Sequence, residues 1–303
     1  MNQRTMVILM VATALAWPAP PARAESSQGG AFQLPAYGAR GWGMAGAFVA
    51  RADDESAVDW NPAGLALAAR SAGASYYQLV EGLSVGQSQV VFTTPLSRTR
   101  TETGAVRHAA GIMFTNLSAE VIGGETYAEN YLRLAYAFTP EPLVSFGIAA
   151  TGFVSSGVTG FDAWGTSFDM TGNLSLSNTW SLAVVARDVF SRYTYDDSRD
   201  FNKEPQYIVG LAWTPASHIA FEGDVVRSYG DWTRASLGAE TEYFFSHVAL
   251  RGGIAVLRAG ETRTVPSFGL SARASRLTLH YGATLDEEDA FGRTHRLSLA
   301  VRI

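Results

Sequence analysis

His280 and Ser298, on what read as neighbouring strands, are the nearest this sequence comes to a base beside a nucleophile. A hydroxyl activated that way begins covalent catalysis. No carboxylate is marked out to orient the imidazole, and no oxyanion site can be read, so an enzyme is not expected. Gly41-Trp42-Gly43-Met44-Ala45-Gly46 fits the G-x-G-x-x-G dinucleotide fingerprint. No strand precedes it and no βαβ unit encloses it, so the glycines read as points where backbone packs closely, and no cofactor is expected. Asp196-Asp197-Ser198-Arg199-Asp200 and Asp286-Glu287-Glu288-Asp289 lack the glycine and ligand spacing of a calcium loop and read as solvated, leaving no metal site.

The remaining chemistry lies in charges at one parity of alternating segments: Arg133, Arg187, Glu222, Asp224, Glu240, Arg251 and His280. These are the candidate lumen-facing residues. Opposite charges in a confined space pair with one another or with Arg40, Arg51, Asp53 and Asp54 upstream. Such a set serves either as a polar track or as the paired interior that any wide barrel needs, and the second is the simpler reading.

The elements that position them are strands. After Arg70 the chain runs in segments of about ten residues that alternate apolar with small or polar side chains, the pattern of a transmembrane β-barrel. Leu277, Leu279, Tyr281, Ala283 and Leu285 share one face, and Thr278, His280, Gly282 and Thr284 the other. Segments of this kind over residues 71–303 predict an all-β fold, an antiparallel barrel of about fourteen strands, with twelve as the other even count. Short connections at 139–142, 214–217, 245–247 and 274–275 fall on one side. Longer polar ones at 191–204, 258–264 and 286–293 fall on the other, as expected of periplasmic turns and external loops. The connection 95–106 breaks this rule, being long on the turn side.

Met1–Arg4 carries one positive charge, Thr5–Trp17 is apolar, and Ala22-Arg23-Ala24 offers small residues, so residues 1–24 read as a signal peptide cut after Ala24. The apolar run is too short to span a bilayer as a helix. Export without a helical stop predicts the outer membrane of a bacterial cell, with its lipid and lipopolysaccharide as surroundings. The 303 residues carry a net charge of −5 and no cysteine, which excludes a disulfide framework and argues against nucleic acid as a partner.

Residues 25–70 do not alternate. Asp53-Asp54-Glu55-Ser56-Ala57-Val58 reads as a helix start with an acidic cap, and Asn61-Pro62-Ala63-Gly64-Leu65 as a second capped turn, with Asn61 as cap and Pro62 at the first helical position. A barrel this wide must hold water, substrate or a plug. This segment is therefore expected to fold into the lumen as a partly helical hatch.

The stretch Gly38–Ala50, followed by Ala52-Asp53-Asp54, Ser56-Ala57 and Asn61-Pro62-Ala63-Gly64-Leu65-Ala66, resembles the N-terminal signature of PorV/PorQ-type proteins, which belong with the FadL-like outer-membrane barrels. The resemblance implies a fourteen-stranded barrel whose hatch includes Asn61, Pro62 and Ala63. It further implies passive uptake of a small hydrophobic compound, gated by the hatch. The alternative is a non-enzymatic scaffold or carrier working with secretion-system proteins.

Overall fold

The computed structural model describes residues 36–78, 85–101, 104–120, 125–157, 162–196, 200–228, 231–243, 247–259, 261–286 and 293–303. The expected signal peptide and residues 25–35 lie outside the described residues. From Ser71 onward the described chain is almost entirely strand: β1 Ser71–Gln78, β2 Val85–Thr101, β3 Gly104–Glu120, β4 Thr126–Glu141, β5 Val144–Ser156, β6 Ala163–Ser175, β7 Trp180–Tyr195, β8 Asp200–Phe201, β9 Gln206–Ala216, β10 Ile219–Ser228, β11 Asp231–Tyr243, β12 Val248–Ala259, β13 Glu261–Ala274, β14 Leu277–Leu285 and β15 Arg293–Arg302. Every pairing is antiparallel. Each wall strand pairs with the next, β7 passes over β8 to β9, and β15 pairs with β1 from Ser71↔Arg302 to Gln78↔His295. This closes a barrel of fourteen wall strands, with the two-residue β8 attached only to β7.

Alternation decides which way each side chain points. Leu132, Leu134, Ile148, Leu250, Ile254, Leu279 and Leu299 lie exposed on the outer wall, whereas Thr115, Glu129, Arg133, Glu240 and His280 are buried inside. A soluble sandwich hides its leucines and exposes its charges; this wall does the reverse, as a barrel in lipid requires. Trp180, Trp213 and Phe221 stack in series on the outer face near the turn side, with ring centroids 5.7 and 5.6 Å apart. Such rings suit a membrane interface.

Two connections expected as loops are strand. At 95–106, β2 and β3 stay paired past the bulge at Pro95/Ser97 as far as Thr101↔Gly104. Pro95 has no N–H to give to the ladder, so register slips there and resumes. At 191–204, β7 continues to Tyr195 and folds back on Asp200–Phe201. There a bulge sets Phe168↔Phe190 and Met170↔Ala186, and Asp188 takes φ 52°. A change of register at the bulge disguised the continuation.

The lumen is filled by residues 36–70. Tyr37, Met44, Phe48, Val49, Val58, Trp60 and Leu65 are fully buried there and pack on Val91, Met113, Ala135, Ala149, Val185 and Ile208 of the wall. Where this plug touches the wall, the inward positions of the strands are often glycine. A Cβ on Gly269 would sit 3.0 Å from the Gly43 Cα, on Gly253 2.5 Å from the Met44 carbonyl carbon, and on Gly147 2.2 Å from the Ala63 nitrogen. Plug backbone lies directly on wall backbone at these places.

Candidate functional site

The plug is built from short turns that cannot stand alone. Helices Ala39–Trp42 and Ala57–Trp60 are one turn each, and Pro62–Ala66 is a 3-10 turn. Helices so short are unstable without tertiary support. Asn61 supplies much of that support: its Oδ1 accepts from the Ala63 N–H at 3.1 Å, and its Nδ2 donates to Val49 O at 2.8 Å and to Asn173 Oδ1 on β6 at 2.6 Å. Pro62 follows at the first helical position, Ala63 N–H also reaches Thr171 Oγ1 at 2.9 Å, and Gly64 lies where a Cβ would come within 1.8 Å of Ala52 O. Only glycine fits there.

Asp53 does not start the following helix. Ser56 precedes that helix, and Asp54 Oδ1 accepts both the Ser56 backbone N–H and its hydroxyl. Asp53 and Asp54 instead bind Arg40 Nη1, at 2.7 and 2.6 Å. The long guanidinium offers a stronger, charge-assisted partner than a helix terminus does. Arg40 also reaches Glu240 on β11 through Nε at 3.1 Å and Nη2 at 3.0 Å. Arg51 Nη2 joins at 3.0 Å and Arg251 Nε completes the set, so one wall carboxylate receives three arginines.

On the neighbouring strand two further carboxylates hold plug backbone. On β10, Asp224 Oδ2 accepts from the Phe48 N–H at 2.9 Å and the Val49 N–H at 3.2 Å, and Glu222 Oε1 accepts from the Ala50 N–H at 2.5 Å. Three successive amides thus rest on side chains two residues apart on one strand face. Further round the wall Arg133 donates to Val58 O at 2.8 Å and pairs with Asp169 at 2.5 Å, while Arg187 Nη2 donates to Asp59 O at 3.0 Å and Trp60 O at 3.2 Å. Asp169 Oδ1 also accepts from the Asp188 N–H at the bulge, at 2.8 Å. His280 lies opposite Ser298 in the β14–β15 ladder but does not hydrogen-bond to it; the Ser298 hydroxyl accepts from the Ala39 N–H at 3.0 Å. His280 meets Ser271 Oγ, at 2.5 Å, and that oxygen already takes a hydrogen bond from Arg251. A serine held as an acceptor by an arginine, in a register that leaves its partner histidine in a wall of side chains, is a structural link.

All seven lumen candidates therefore face inward, and all but His280 hold the plug directly or through one partner. Reading by parity passed over Asp169, Arg234 and Arg296, although each lies at an inward position of its strand. Asp169 and Arg296 were visible as single charges at the parity of Thr171 and Ser298.

The turn-side face of the plug opens on a vestibule of about 800 Å³, floored by Arg40, Asp53, Asp54 and Glu55 and rimmed by Ser145, Ser175, Arg273 and Arg302. Burial would raise the Asp54 carboxyl, but Arg40 beside it holds it below the ordinary range. Burial, then the charge of Asp54, pushes Glu55 up to about 8 from 4.5. A raised value means that the seated plug binds the proton. The stabilisation is full below pH 4.5 and is lost as pH rises through about 8. Asp54 works in the opposite sense, losing its contribution only as pH falls below its ordinary 3.8, so it leaves that window undisturbed. Between about pH 5 and about pH 9, amide exchange at Ala57–Trp60, corrected for intrinsic rate, is expected to rise by on the order of a thousandfold, and Glu55→Gln to abolish the rise. A pH-independent wild type would show that Glu55 does not govern seating.

On the loop side the lumen wall is aromatic. Tyr131, Phe153 and Tyr193 form a buried run with centroids 4.8 and 5.4 Å apart, closed by Ala163 and Tyr195. The Tyr131 and Tyr127 hydroxyls donate to the Glu129 carboxylate at 2.7 and 2.8 Å.

No family model and no curated protein sequence matches the chain. Solved structures do. The CymD monoaromatic hydrocarbon channel is 14% identical, over 90% of this chain and 99% of its own, with a TM-score of 0.69. A FadL homologue from Pseudomonas aeruginosa is 11% identical, over 89% and 99%, with a TM-score of 0.62. The toluene transporter TbuX of Ralstonia pickettii is 12% identical, over 89% and 98%, with a TM-score of 0.58. The chain has the fold of these FadL-like barrels.

Proposed function

From that shared fold we propose that this chain is an outer-membrane channel for passive entry of small hydrophobic compounds, with residues 36–70 as its gate. The observation that carries the reading is the contrast between the two ends of the lumen. On the loop side Tyr131, Phe153 and Tyr193 pack together as a buried apolar cluster, and the turn side opens on a charged vestibule around Arg40, Asp53 and Asp54. That cluster makes the outer end of the interior apolar, and an apolar solute entering it gains free energy by leaving water. Between the two lies a plug held by separable polar contacts at Asp224, Glu222, Glu240 and Arg133. Contacts of that kind can be exchanged singly, which suits movement within a fixed wall.

The PorV-like assignment and the secretion scaffold remain the alternative. Intact cells of a host with a tight outer membrane, expressing this protein, are expected to take up labelled toluene several-fold faster than cells without it. Equal rates at equal barrel yield would overturn the channel and leave the scaffold.

A further inference from the structure

Among the described residues, three exposed arginines at the mouth of the turn-side vestibule have no carboxylate partner. Arg273 is the last inward position of β13, Arg276 lies in the turn to β14, and Arg302 is the last inward position of β15. The Arg302 N–H donates to Arg276 O at 2.9 Å, so these two occupy adjacent strand ends. Their one side-chain hydrogen bond is a long one, from Arg273 Nε to Thr278 Oγ1 at 3.4 Å. Parity aims all three at the mouth: Ser271, His280 and Ala300 share their faces and are buried, whereas Leu270, Leu277 and Val301 lie exposed towards lipid.

The other charges of the chamber cancel. Arg40, Arg51 and Arg251 meet Glu240, and Arg40 also meets Asp53 and Asp54, which sets three cations against three carboxylates. Glu55, pushed up to about 8 by burial, holds its proton near neutral pH. That leaves Glu242 against Arg273, Arg276 and Arg302, so the mouth is positive. Ser145, Ser175, Thr214 and Ser217 add neutral hydroxyl donors around it. A single small anion would engage one or two of these arginines, whereas a row of three on strand ends about 5 Å apart matches carboxylates repeated along a chain. Phosphates of a lipid surface lie outside the wall, and these guanidinium groups open inside it. At about 800 Å³ the chamber has room for a short peptide segment.

We propose that the turn-side mouth is a docking site for an acidic segment of a soluble periplasmic protein, its carboxylates accepting from Arg273, Arg276 and Arg302 and its backbone carbonyls from the chamber hydroxyls. The short turns make this mouth the periplasmic one. Docking here goes beyond solute entry and does not depend on it, since the two are read by separate assays. Attraction of this kind between exposed charges weakens as salt is raised.

The probe is a fluorescent peptide of alternating Asp and Ser, followed by anisotropy as the protein, folded in uncharged detergent, is added; the Asn and Ser peptide is the control. The acidic peptide is expected to saturate a single site and the control not to bind. Arg273→Gln, Arg276→Gln and Arg302→Gln together should weaken binding at least tenfold, and the three Lys replacements should keep most of it. Heat-modifiability on gels should persist in the Gln variant, showing a folded barrel. Equal affinity in the Gln variant overturns the site, as does equal binding of the control or binding indifferent to salt. Competition by glycerol phosphate as effective as that by unlabelled peptide would make the occupant a lipid headgroup and overturns it too. Peptide binding without toluene uptake keeps the site and overturns the channel; uptake without peptide binding does the reverse.

Discussion

Deleting Ala36–Ala66 is expected to turn a nearly closed barrel into an open one, raising single-channel conductance in planar bilayers by on the order of tenfold or more. The wall supplies its own closure: β15 pairs with β1 over the full length of β1, so the barrel does not need the plug for its ladder. The plug, by contrast, supplies Phe48, Val49, Val58, Trp60 and Leu65 to the centre of the lumen. A partial version of the same change is Asp224→Ala, which strips the acceptor from the Phe48 and Val49 N–H groups. Each orphaned buried donor costs about 1–3 kcal/mol, enough to populate an unseated plug without touching the wall. Asp224→Ala should give flickering conductance between the wild-type and deletion levels. Equal conductance in all three proteins would mean that residues 36–66 do not obstruct the pore.

The second large effect concerns the lipid face. Leu237 lies near the middle of β11, 66% exposed on the outer wall. Arginine at that depth costs about 2–4 kcal/mol in transmembrane barrels. Leu237→Arg is expected to lower the urea midpoint of folding into lipid vesicles by a corresponding amount. Arginine in place of Ser236, next in the chain but buried on the lumen side, would fail for a different reason, by collision with the plug. Removing the plug from both variants separates the cases: the Leu237→Arg defect persists and the Ser236→Arg defect shrinks. Unchanged folding of Leu237→Arg would place this wall in water.

Much of this architecture was legible because a strand has period two. Once Leu279 was assigned to lipid, His280 had to face the lumen, and the same reasoning set Glu222, Asp224, Glu240 and Arg251 inward. Asn61 was legible for a local reason, since Asn followed by Pro at a turn leaves the side chain little to do except cap. What parity could not give was partnership. Glu240 binds Arg40 because the plug brings them together across 200 positions of sequence, and nothing in either neighbourhood records it. The acidic Asp53-Asp54 pair illustrates the cost: its composition fits a helix start, and its true partner, Arg40, lies outside the segment that suggested the reading. The bulge at Asp188 and the ribbon beyond Pro95 were hidden because each interrupts alternation where the strand continues.

Where Gly238 faces Gly253 and Gly269 faces Gly282 across neighbouring strands, the inner wall has no side chains to offer. With the plug gone, those glycine pairs cannot narrow the passage, because backbone committed to a ladder does not rotate, and the long side chains left at that height are their cross-strand neighbours Glu222, Arg251 and Arg296. Any narrowing the wall supplies there is therefore charged. A partial opening that leaves those charges covered must come from the plug itself, shifting in part while most of its backbone stays against the strands.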